Sequence, residues 1–318
     1  MSARKRLIII GVNLLCLTVL VVGLIGYHRK YHFDEVEFTV EDTLPDGGGK
    51  MATVILLGGQ SNASGCSRDE YLAKNVTAEK YVEYQNGYDN VYINYYCSGT
   101  NESHGFVKCA AKQGEGGGFF GPELGLAEKL NEIYPDEQFF IIKYAWGGSN
   151  LYEQWRAPSP LGGAGDLYRS FVSFTEQSID YLLGKNYDVR IAGVCWMQGE
   201  SDSLSVKNAK DYRRNLSRLI KDVRRRFECH AAEEGIAFVD ATIADNPLLW
   251  THCDTLNAAK RAVSESSPLN YLIDTNAAGM TCLGEPSPEP DVAHYDSMSE
   301  ITLGHLFARE LSHHLTRD

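Results

Sequence analysis

The chain has 318 residues, 43% of them hydrophobic, and a formal net charge of −12. That length holds one large α/β domain or two smaller ones, and the apolar content permits a substantial core. Residues 1–30 carry five Lys/Arg and no acid, so the remainder carries −17; phosphate backbones would repel such a body, and nucleic acid is not an expected partner.

Leu7 to Tyr27 is an uncharged run of 21 residues, long enough at about 1.5 Å per residue to span a bilayer. A cleaved signal peptide has a shorter apolar run and a small-x-small cleavage site, and no such site stands out before Tyr27-His28-Arg29-Lys30. The sequence predicts a cytoplasmic tail over 1–6, a transmembrane signal anchor over 7–27 and a stem over 28–50. Arg4, Lys5 and Arg6 before the span outnumber Arg29 and Lys30 after it, which favours a cytoplasmic N-terminus. The expected result is a single-pass type II membrane protein with its C-terminal domain in the secretory lumen or outside the cell. Sequons at Asn75, Asn101 and Asn215 agree with that compartment; the one at Asn62 is expected to be unused. Cys16 lies in the span and Cys195 inside a strand, which leaves six cysteines for an oxidising lumen. Cys97–Cys109 is the expected bridge, closing a polar loop. No Cys-x-x-Cys spacing implies a metal, and no cofactor or obligatory protein partner is implied.

From residue 51 the pattern alternates. Strands are expected near 52–58, 138–145, 189–197, 236–241 and 270–274, and helices near 122–133, 166–184, 207–227, 256–265 and 299–315. Pro122 suits a first helical turn, and Leu124, Ala127 and Leu130 recur on one face. Alternating units of this kind imply an α/β fold: a doubly wound, flavodoxin-like parallel sheet of about five strands with helices on both faces, in one domain over 51–318.

The strand ends carry the chemistry. The first strand runs through Gly58-Gly59 into Gln60-Ser61-Asn62, so a serine hydroxyl stands where open α/β sheets place their ligand crevice. The second ends in Trp146-Gly147-Gly148-Ser149, whose glycines let backbone N–H groups approach a ligand. The third ends in Trp196-Met197-Gln198-Gly199-Glu200-Ser201-Asp202. There the Gln198 amide can donate to an oxyanion, while Glu200 is read as a carboxylate holding loop groups. Downstream, Asp291-Val292-Ala293-His294 supplies an imidazole and an acid to orient it, the partners a serine nucleophile needs. The segment Gln113 to Gly121 reads as a glycine-rich loop that either connects or rims the site. Trp155, Tyr152 and Trp146 offer flat faces to a sugar or pack internally.

These blocks, with Gly121-Pro122-Glu123, resemble the SGNH hydrolase superfamily, and within it the sialate O-acetylesterase domain and the acetyl-xylan esterases of carbohydrate esterase family 6. The resemblance spans roughly residues 51 to 315. It implies Ser61 as nucleophile, His294 as base and then acid, and Asp291 as its orienting carboxylate. It implies an oxyanion hole from the Ser61 N–H, a Gly147 or Gly148 N–H and Gln198, where the wider superfamily uses an Asn. Gln60, Asn62, Glu200 and Trp155 would support the site or touch substrate. The implied activity is carbohydrate O-acetylester hydrolysis through an acyl-enzyme. A carbohydrate O-acetyltransferase with the same triad and a non-catalytic glycan-binding protein stand as alternatives.

Overall fold

The computed structural model describes residues 36–159 and 162–315. The expected tail and membrane span lie outside them, and no helix among the described residues is long and apolar enough to cross a membrane.

Six parallel strands form the body of an eight-stranded sheet: β1 (Met51–Gly59), β2 (Val91–Cys97), β3 (Phe139–Ala145), β4 (Asp188–Met197), β5 (Ala237–Ala241) and β6 (Asn270–Ile273). Their order is β2-β3-β1-β4-β5-β6, and the short strands Asn101–Glu102 and Val107–Lys108 pair antiparallel with β2. β2 is a sixth parallel strand beyond the five expected, and it places β3 beside β1. The chain fills the β2–β3 side first and then crosses β1 to lay down β4, β5 and β6. The topological switch is therefore at β1, whose last residue, Gly59, pairs with Ala145 on one side and Met197 on the other.

The helices are α1 (Ser61–Ser64), α2 (Asp69–Asn75), α3 (Ala78–Asn86), α4 (Pro122–Ile133), α5 (Asp166–Gly184), α6 (Glu200–Ser203), α7 (Val206–Arg226), α8 (Cys253–Ser264) and α9 (Ser297–Ser312). Alternation along β4 separates the two covering layers. A Cβ on Gly193 would meet Leu311 of α9, whereas Trp196 packs on Trp155, which packs on Phe171 of α5. α4 lies with α9, so close that Cβ atoms on Gly125 or Gly304 would strike the Ile301 or Pro122 carbonyl oxygen at 2.1 and 2.2 Å. Fully buried Lys143 of β3 donates to the Glu123 carboxylate at 2.6 Å and pins the start of α4 to the sheet.

One sequence expectation needs correction here, the Cys97–Cys109 bridge. The stem is described from residue 36, and there it lies along α5: the Val36 and Phe38 N–H groups donate to Ser173 Oγ and Gln177 Oε1, and Leu44 is buried. Cys97 and Cys109 are both buried free thiols. The Cys109 N–H donates to the Val91 carbonyl, six residues up β2 from Cys97. At about 3.3 Å per strand residue the two are far beyond bridging distance. Asn215 is also buried, on α7, and offers no acceptor for a glycan in the folded chain.

Candidate active site

β1 must turn sharply at its end. Gly59 has φ +141, and a Cβ there would sit 1.9 Å from the Met197 carbonyl oxygen, so only glycine fits. The Gln60 N–H then donates to the same carbonyl at 2.9 Å, and Ser61 opens α1 with 8% of its surface exposed.

Asp291 and His294 lie on the long connection between β6 and α9. His294 Nδ1 donates to Asp291 Oδ2 at 2.7 Å, and the Ala293 and His294 N–H groups donate to Oδ1. Partial burial pushes the Asp291 carboxyl up, but these hydrogen bonds outweigh it and hold it below the usual carboxylate range. With Nδ1 engaged, Nε2 is the nitrogen left to move a proton. The Tyr295 N–H donates to Asn62 Oδ1 at 3.1 Å. One bond thus ties the residue after His294 to the residue after Ser61. Asn62 Nδ2 in turn donates to Glu200 Oε1 at 2.8 Å. Burial raises the pKa of Glu200. Asp291 and His294 line a cleft of about 290 Å³ with Arg68, Tyr71, Phe119 and Glu289.

The two glycines differ. The Gly147 N–H donates to Ser98 Oγ at 2.8 Å. Gly148 is exposed at φ +65, and its N–H makes no hydrogen bond among the described residues. Gln198 departs from expectation. It is fully buried, and its Nε2 lies within hydrogen-bond distance of Asp202 Oδ2, the Ser149 carbonyl and Gln60 Oε1, while Oε1 accepts from Tyr212. Its two N–H bonds are spent inside the protein, which removes it as the third oxyanion donor. Gln60 belongs to the same network, its Oε1 accepting from the Gly199 and Ser201 N–H groups as well. Trp155 offers no face to a sugar: it is fully buried, 5.1 Å from Trp196, and its Nε1 donates to Ser149 Oγ at 2.7 Å. Trp146 is half-buried and stacks on Tyr96.

Sequence reasoning missed Asp202, whose carboxylate accepts from the Leu151 and Tyr152 N–H groups and locks the loop after Gly148 to α6. It also missed the Lys143–Glu123 pair. The signal was there: Lys143 is the one charge in Phe139-Phe140-Ile141-Ile142-Lys143-Tyr144-Ala145.

A turn-mounted serine, an acid-held imidazole and an unpaired glycine N–H at one sheet edge are the parts of an ester-cleaving site. Residues 51–313 match the family described as carbohydrate esterase, sialic acid-specific acetylesterase. The chain belongs to that family. Its members are carboxylic ester hydrolases. The chain is 30% identical over 105 residues to the probable carbohydrate esterase At4g34215 of Arabidopsis thaliana, an alignment covering 33% of this chain and 36% of that relative's length. The solved structure of the Arabidopsis protein superposes with a TM-score of 0.58 at 18% identity, over 83% of this chain and 99% of that one. NanS gives 0.57 at 15% identity over 86% and 98%. XAC1771, a carbohydrate acetylesterase from Xanthomonas citri, gives 0.54 at 18% identity over 82% and 56%. At these identities the structures share the fold.

Proposed function

We propose that this protein is a serine esterase that removes O-acetyl groups from a carbohydrate through an acyl-enzyme. Ser61 Oγ attacks the ester carbonyl carbon while His294 Nε2 takes its proton. The same imidazole then returns the proton to the departing sugar oxygen. Asp291 fixes the tautomer and stabilises the imidazolium. The Ser61 and Gly148 N–H groups hold the oxyanion, each such donor contributing about 2.7–4 kcal/mol to the transition state. Water, activated by His294, hydrolyses the acetyl-Ser61 ester and frees acetate. The observation that carries this reading is the short His294–Asp291 hydrogen bond on a loop tied through Asn62 to the turn that presents Ser61.

Family membership, and the likeness to XAC1771, a carbohydrate acetylesterase, support acetylated carbohydrate as substrate. The test is the purified full chain on a chromogenic acetate and on O-acetylated sugars, with and without a sugar acceptor. Release of acetate at a rate independent of acceptor supports the hydrolase; acetyl transfer to the acceptor would make it a transferase. The apolar run at 7–27 supports membrane anchoring with the domain in the lumen. Protease protection of a C-terminal tag in intact microsomes is expected, and digestion without detergent would reverse that topology.

A further inference from the structure

Glu115 has no part in the chemistry above, yet its carboxylate lies at the oxyanion side of the site. Both of its oxygens sit 2.7 and 2.8 Å from where a Cβ on Gly147 would be, so the missing side chain of Gly147 is the space the carboxylate occupies. Its Oε2 is 3.5 Å from Cys66 Sγ, on the wall of the catalytic cleft. The backbone around it is tied down: the Glu115 N–H donates to the Gly65 carbonyl, Thr100 Oγ1 donates to the Glu115 carbonyl, and the Gly114 N–H donates to the Phe119 carbonyl. The glycine-rich segment is therefore a built rim and more than a connection. A carboxylate only accepts, and its protein donor among the described residues is one thiol, a weak one. Half-exposed Glu115 keeps lone pairs for a ligand.

We propose that Glu115 determines substrate specificity, accepting a hydrogen bond from a hydroxyl of a neutral O-acetylated sugar and disfavouring sugars that carry a carboxylate. This rests on the acetylesterase reading. An ester carbonyl held by the Gly148 N–H would stand next to Gly147, whose missing side chain leaves its space to the Glu115 carboxylate, which would bring a free hydroxyl beside the acetylated carbon toward that carboxylate. The charge of the cleft points the same way. Glu285, Glu289 and Asp291 line it, Glu285 accepting from Asn75 and Ser297 and Asp291 from His294, together with Arg68, whose guanidinium lies 5.7 Å over Phe119 and 3.5 Å from Glu70. An anionic sugar meets like charge at the rim and on the walls.

The experiment compares kcat/KM of the full chain on a mono-O-acetylated methyl pyranoside, on an O-acetylated sialic acid and on 4-nitrophenyl acetate. Glu115→Ala should lower the pyranoside-to-nitrophenyl ratio about 10- to 100-fold, the range for losing a hydrogen bond to a charged group. Glu115→Gln should raise the sialate-to-pyranoside ratio about tenfold, an effect that weakens with salt. Calorimetric titration of the pyranoside into Ser61→Ala and into Ser61→Ala with Glu115→Ala reads the same contact without turnover, and the second should bind at least tenfold more weakly. Unchanged ratios and equal binding would overturn the role of Glu115. Full turnover by Ser61→Ala would instead overturn the acyl-enzyme reading and leave the Glu115 ratios interpretable.

Discussion

The candidate nucleophile and its base are mounted on different supports. Ser61 stands at the end of the central strand, on a frame of Gln60, Ser149, Trp155, Gln198 and Asp202 that is almost wholly buried and hydrogen-bonded within itself. Asp291 and His294 stand on a long irregular connection with side chains 45% and 27% exposed. A few bonds hold that loop: Asp291 N–H to the Glu285 carbonyl, Tyr295 N–H to Asn62, Asp296 N–H to the Thr281 carbonyl. Packing preorganises the serine side, whereas local hydrogen bonds aim the imidazole. Changes in the frame should register as lost stability, and changes at the loop as lost kcat.

The largest expected effects are chemical and leave the fold alone. Ser61→Ala and His294→Ala should each lower kcat about 10⁴- to 10⁶-fold with little change in Tm. Asp291→Asn should cost less, because the acid orients a proton carrier and carries no proton itself. A loss for Asp291→Asn clearly exceeding that of His294→Ala would contradict these roles.

Asn62→Ala cuts a side chain that spans both supports. It frees the Tyr295 N–H and strips the donor from buried Glu200. It should lower kcat by about 10-fold or more and also cost about 1–3 kcal/mol in urea unfolding. A purely kinetic effect would place Asn62 with the loop alone.

Gln198→Ala removes the donor to Asp202 Oδ2 and the Ser149 carbonyl. It should destabilise by about 1–3 kcal/mol. Unchanged stability with kcat down about 10²–10³ would return Gln198 to the oxyanion hole.

The smallest effect per pH unit concerns Glu300, buried on α9 with neither carboxyl oxygen partnered among the described residues. Burial raises its pKa well above the usual range. The folded chain therefore keeps a proton that the unfolded chain releases above about pH 4.3. Stability is full below that pH and declines as pH rises toward the folded pKa, by at most about 1.4 kcal/mol per unit. Glu300→Gln should flatten this decline and be the more stable variant at pH 7; parallel declines in urea titrations at pH 5, 6 and 7 would show that Glu300 is already partnered.

The sheet edge was legible because small residues follow long apolar runs at 58–62, 146–149 and 198–202, and Pro122 marks the start of α4 where expected. β2 was not legible. Asn94 interrupts its apolar run, and only the fold shows that Ser178 and Ser103 satisfy that amide. Nor does local sequence say which glycine N–H is free, since Ser98, at the end of another strand, occupies that of Gly147. The inward turn of Gln198 depends on Asp202 and Tyr212 on two different helices. The proposed bridge failed for a related reason: sequence proximity of Cys97 and Cys109 hides an antiparallel pairing that carries them to opposite ends of β2.

The central claim is that Ser61 is the activated nucleophile. Treating the full chain with a fluorophosphonate, which labels a serine only when its hydroxyl is activated, and mapping the adduct by peptide mass spectrometry tests this most directly. One adduct is expected, on Ser61, formed with wild type and strongly slowed in His294→Ala. A stable adduct on a different residue, or labelling of Ser61 that proceeds equally fast without His294, would contradict the account.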